Sequence, residues 1–123
     1  MKESPFKGKT GIKRITNAVI YSMSGFYAAF KNEEAFRQEI ILAIFLIPLS
    51  IFVGETTIEK VLLVSSLLLV LIVELLNSGI EAAIDRISLE KHRLAKRAKD
   101  IGSAAVFLTI MNAILTWIII LFL

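Results

Sequence analysis

Residues 12 to 30 repeat apolar side chains with the period of a helix. Ile12, Ile15, Val19, Met23, Phe26 and Phe30 share one stripe, and Lys13, Asn17, Ser24 and Lys31 fall opposite. An apolar stripe beside a basic polar face suits a helix lying in a membrane interface. Beyond it the pattern changes from periodic to continuous. Ile40 to Val53 offers 14 residues of apolar character, short of the ~20 that a span needs. A first crossing over 34–53 therefore carries Arg37, Gln38 and Glu39 into the headgroup region, with Pro48 as a candidate kink. Gly54-Glu55-Thr56-Thr57 predicts a short turn. Val61 to Val73 is apolar apart from Ser65 and Ser66, again too short alone, so a second crossing over 58–85 takes Glu74 and Asn77 into the membrane. Arg86 to Arg97 suggests a charged connection. Ile101 to Leu123 holds 23 residues without a charge and is the core of a third crossing over 98–122.

These elements predict an all-α membrane protein with one domain over 1–123: a surface helix and three transmembrane helices. Composition agrees. Of the 123 residues 56% are hydrophobic and 20% charged, and the mean hydropathy is +0.75, which excludes a disordered chain and argues against a small soluble globule. The absence of cysteine excludes disulfides, thiolate metal sites and cysteine nucleophiles. The formal charge is +3, but its placement argues against nucleic acid as a partner. Seven of the 14 Lys and Arg lie between Lys2 and Arg37, six between Arg86 and Lys99, and only Lys60 elsewhere. By the positive-inside bias the N-terminus is cytoplasmic and the C-terminus outside. The basic start, Met1 to Gly11, reads as a mobile tail, and the first continuous apolar run begins too late for a signal peptide. Gly8-Lys9-Thr10 resembles the end of a phosphate-binding loop, but Glu3 stands where the first glycine of that motif belongs.

The second crossing carries the chemistry. Glu74, Asn77, Ser78, Glu81 and Asp85 fall within ~100° of one another on a helix. Ionisable groups inside a bilayer cost at least ~2.5–3.5 kcal/mol each and are functional or internally paired. Glu74 and Glu81 lie ~10 Å apart along the axis. Glu74, in the more apolar surroundings, suits a general base; Glu81, nearer water, suits a ligand to a hard cation. For Ser78 and Asp85 simple packing or an ion pair explains the residue equally well. Glu33, Glu34 and Glu39 with Arg37 and Gln38 make a second polar cluster, in which Glu33 and Arg37 have the spacing of a helix-surface ion pair. Lys99 and Asp100 open the third crossing, where a lysine can snorkel to headgroups or meet a phosphate. His92 stands among bases and reads as solvated.

Three strings together resemble the small prokaryotic diacylglycerol kinases. They are Asn32-Glu33-Glu34-Ala35-Phe36-Arg37-Gln38-Glu39, Val73-Glu74-Leu75-Leu76-Asn77-Ser78-Gly79-Ile80-Glu81-Ala82-Ala83-Ile84-Asp85-Arg86, and Ala95-Lys96-Arg97-Ala98-Lys99-Asp100-Ile101-Gly102-Ser103-Ala104-Ala105-Val106. The resemblance implies a homotrimer with shared sites in the bacterial inner membrane. It implies transfer of the ATP γ-phosphate to a lipid hydroxyl with Mg2+. Glu74 would be the base and Asn77 would orient the site, while Glu33 and Glu81 would hold the metal. Arg14, Tyr21, Lys99, Asp100 and the Glu90-Lys91-His92 stretch would contact the nucleotide. Phe36, Arg37, Gln38 and Glu39 with Ser103 would line the lipid path. Met23-Ser24 and Gly79 depart from the pattern of the best-known members.

A sister branch of that family acts on undecaprenol, and the run from Asn77 through Ser88 looks closer to the diacylglycerol branch. A small proton-coupled transporter is the alternative from another class. It is disfavoured because the acids gather at one end of the crossings and the other half of each is uncharged.

Overall fold

A computed structural model describes residues 10–87 and 92–123. The expected basic tail falls almost wholly outside them, as do Glu90 and Lys91. Four helices follow in order, α1 (Gly11–Asn32), α2 (Glu34–Val53), α3 (Thr57–Ile87) and α4 (Arg93–Phe122), with no strand among the described residues. The central helix is α3, packed against α4 and α2, and α1 leans more lightly on α2 and α3.

Among the described residues three positions shape the backbone between helices or at their ends, each with a local cause. Gly11 opens α1 at φ +73°. Glu33 breaks the helix between α1 and α2 with an extended backbone (φ −115°, ψ 109°). Its N–H still donates to the Ala29 carbonyl at 2.9 Å. Arg37 reaches back across this break, and its Nη1 donates to the carbonyl oxygens of Phe30 and Lys31, both at 2.9 Å. Those are terminal acceptors that α1 cannot satisfy itself. The spacing of Glu33 and Arg37 suggested an ion pair on one helix; the helix ends at Glu33, and the guanidinium serves these carbonyls instead.

At the α2–α3 turn, a Cβ on Gly54 would lie 2.8 Å from Lys60 Cγ and 3.0 Å from the Ser50 oxygen, so only glycine fits there. Thr56 then caps α3: its Oγ1 accepts the Glu59 N–H at 3.1 Å while its hydroxyl donates to the Glu59 carboxylate at 3.1 Å, a variant of the capping box. Before that turn, α2 runs unbroken through Pro48.

The charged connection expected over Arg86 to Arg97 is mostly helix. Arg86 and Ile87 complete α3, and α4 begins at Arg93. His92 Nδ1 accepts the Leu94 N–H at 3.1 Å and so caps α4, Lys96 bonds Asp100 one turn on at 2.7 Å, and Ala95 and Ala98 favour the helical state. Together these outweigh the like charges that suggested a loop.

A line of side chains along α3, Leu63, Ser66, Val70, Glu74 and Asn77, is buried, as are Gly102 and Thr109 of α4. Outside this seam the apolar surface is uncovered: Phe45 is 71% exposed, Phe52 90% and Phe107 63%. Such a surface would drive aggregation in water and is normal against lipid. Helices α2, α3 and α4 are each long and apolar enough to cross a membrane. Of α1 only Ala29 is buried, so the stripe from Ile12 to Phe30 remains exposed.

Candidate active site

The light packing of α1 against α3 leaves a cleft of about 680 Å³ between them. Small residues on both walls, Gly25, Ala28 and Ala29 from α1 and Gly79 and Ala82 from α3, leave it open. Its polar lining is Ser22, Asn32 and Glu33 on one side and Ser78, Glu81 and Asp85 on the other. Glu33 reaches the cleft because the helix break puts it at the rim. The others point in because one face of α3 meets α1.

The single polar face read along α3 serves two surroundings. Ser78, Glu81 and Asp85 line the cleft, while Glu74 and Asn77 are buried against the neighbouring helices. The carboxylates nevertheless gather at one end of the bundle. Glu33 and Glu81 line the cleft, Glu74 stands two turns before Glu81 on α3, and Glu39 of α2 stands among α2, α3 and α4. Four acids from three parts of the chain thus crowd one end of the bundle, where low polarity strengthens their repulsion. A cation among them relieves it.

Polar contacts order this end. Asn77 Nδ2 donates to Glu81 Oε1 at 2.9 Å. Lys99 Nζ of α4 donates to Asp85 Oδ1 at 2.7 Å, so the base that opens the third crossing is tied to the cleft wall. Asp100 instead pairs with Lys96 on a shallow groove with Arg93, Arg97 and Ala104. Arg14 and Tyr21 are exposed on α1, and Ser103 is exposed on α4; none of the three lines the cleft. His92 is the exposed cap of α4. In the Phe36–Glu39 stretch, Phe36 is buried in the packing (1% exposed), Arg37 caps α1, and Gln38 is exposed. Glu39 stands at an apolar groove of about 260 Å³ between α2, α3 and α4, with Leu42, Leu46, Leu71 and Ile114.

Three features escape a reading along the chain. The α1 wall of the cleft had a signal in the small-residue spacing Ser22, Gly25 and Ala29, which favours close or open helix approaches. The ion pair expected at Asp85 is present, but its partner Lys99, like the contact of Gly102 with Asn77, lies on a separate helix and leaves no local mark.

Among the described residues no three His, Asp or Glu side chains lie close enough to hold a metal unaided. Two carboxylates facing one cleft fit a hard cation that draws its other oxygen ligands from phosphates and water, as Mg2+ does. The donor set suits that ion.

The sequence model for the prokaryotic diacylglycerol kinases matches residues 20–121. The diacylglycerol kinase of Pseudomonas aeruginosa is 53% identical over 121 residues, covering 98% of both chains. That of Haemophilus influenzae is 51% identical over 88% of this chain and 92% of its own, and that of Escherichia coli K12 is 49% identical over 91% and 92%. The matched span takes in the acid cluster, the cleft wall on α3 and all three long helices, and on these grounds the chain is a membrane enzyme that belongs to the prokaryotic diacylglycerol kinase family.

Proposed function

We propose that this enzyme transfers the γ-phosphate of ATP to the hydroxyl of diacylglycerol, giving phosphatidic acid and ADP. The observation that carries the reading is that Glu33 and Glu81 line one cleft while Glu74 is buried two turns before Glu81 on the same helix. Phosphoryl transfer asks mainly for positioning and for positive charge on the phosphates. Glu33 and Glu81 would hold Mg2+, which supplies that charge when bound. Glu74 takes the proton of the lipid hydroxyl as its oxygen bonds to the γ-phosphorus and the bond to the β-phosphate oxygen breaks. Asn77 holds Glu81 in place. Lys99 and Asp100, with Arg14, Tyr21 and the 90–92 stretch, bind the nucleotide. Gln38, Glu39 and Ser103 guide the lipid, one of whose acyl chains suits the apolar groove at Glu39, while Phe36 and Arg37 hold the corner between α1 and α2.

The site is open on a thin bundle with uncovered apolar flanks, which supports a homotrimer in which neighbouring copies complete it. The basic residues at the N-terminus and between α3 and α4 favour the bacterial inner membrane, with the N-terminus cytoplasmic and the C-terminus outside.

Purified chain in lipid micelles, given ATP and Mg2+, is expected to phosphorylate diacylglycerol faster than undecaprenol. Activity should vanish with EDTA. Faster turnover of undecaprenol would move the enzyme to that substrate, and silence on both lipids would overturn the reading.

A further inference from the structure

Gly102 lies inside α4, where glycine is a poorer helix former than alanine. The space it leaves open is occupied by one side chain. A Cβ built on Gly102 would overlap Asn77 Oδ1 and lie 3.2 Å from Asn77 Cγ and 3.9 Å from its Cβ, and these are the three nearest atoms. Asn77 is itself 8% exposed. Its Nδ2 donates to Glu81, and a carboxylate acceptor requires the nitrogen on that side. The oxygen is therefore turned toward α4, where it is buried without a hydrogen-bond partner. The amide stays in this orientation because residue 102 has no side chain to displace it.

We infer that Gly102 is a positioning residue: by leaving room for the Asn77 amide it keeps Asn77 bonded to Glu81 and so holds the metal-binding carboxylate aimed into the cleft. Its effect on the metal rests on the reading of Glu81 given above. The seating of Asn77 does not.

Mn2+ binding, read by the loss of the free-ion paramagnetic resonance signal, and the thermal unfolding midpoint in micelles test this in four chains: wild type, Gly102→Ala, Asn77→Ala and the double variant. Gly102→Ala should weaken Mn2+ binding about tenfold, the scale of losing an outer-shell partner, and lower the midpoint. Asn77→Ala should weaken binding to a similar degree. The double variant should bind no more weakly than Asn77→Ala and unfold at no lower a midpoint, because the atoms that a Cβ would strike are gone and alanine favours the helix.

Losses that multiply in the double variant, or Mn2+ binding by Gly102→Ala equal to wild type, would overturn the inference. Should Gly102→Ala fail to fold, the Asn77→Ala and double-variant midpoints still decide, and a lower midpoint in the double variant overturns it. A wild-type chain that binds no Mn2+ would overturn the metal reading of Glu81, whereas the midpoints judge the seating of Asn77 independently.

Discussion

The two halves of α3 bury polar groups in opposite ways. Between Thr57 and Val73 the buried polar residue is Ser66, whose hydroxyl donates to the Leu63 carbonyl of its own helix at 2.7 Å. Ser50 on α2 and Thr109 on α4 do the same, each at 2.7 Å to a carbonyl one turn back. From Glu74 to Ile87 the polar side chains bond other side chains instead of backbone: Asn77 bonds Glu81 one turn on in the same helix, and Asp85 bonds Lys99 of α4. Glu39 Oε2 and Asn77 Oδ1 remain buried without partners. A hydroxyl satisfied by its own helix serves packing, because lipid cannot supply a bond. Acids gathered inside a membrane raise the energy of the fold, which makes them the residues to test for chemistry.

That contrast can be broken most directly at Glu74. Glu74→Gln should keep the fold and reduce phosphate transfer by ~10²–10⁴-fold, the usual contribution of a general base. Initial rates at saturating ATP measure it, and retention of more than a tenth of the rate would mean that the buried acid is structural. Next in size are Glu33→Gln and Glu81→Gln. Each should raise the Mg2+ concentration for half-activation about 10–100-fold, on the scale seen when groups around a metal are altered. A variant with an unchanged Mg2+ requirement would remove that residue from the metal.

Smaller effects sharpen the other side of the contrast. Arg37→Ala strips the last α1 carbonyls of their charged donor and should cost about 1 kcal/mol, near the mean for a net hydrogen bond. The loss should show locally, as faster amide hydrogen exchange in the last turn of α1. Smallest of all, Ser66→Ala should change stability by no more than about 0.6 kcal/mol, the mean for polar contacts inside a membrane bundle, with transfer rates unaltered. A large loss of activity there would erase the distinction between the two halves.

The long helices were legible along the chain because hydropathy over ~20 residues is a local property set by bilayer thickness. The polar face of Glu74, Asn77, Ser78, Glu81 and Asp85 was legible too, since a helical period orders side chains without reference to neighbours. The start of α4 was not. His92 and the Lys96–Asp100 pair stabilise a helix start within a stretch whose charge density suggested a loop.

What the sequence by itself determined is therefore the number of crossings, the end of the bundle at which the acids gather, and the family. Tertiary packing decided which acids share a space. The break at Glu33 lets α1 lie against α3 and brings Glu33 opposite Glu81. The same break releases Arg37 from the expected ion pair. The meeting of α3 with α4 pairs Asp85 with Lys99 and sets Asn77 against Gly102. Each of these depends on two helices arriving at one place, and a periodicity confined to a single helix carries no information about the face its neighbour presents.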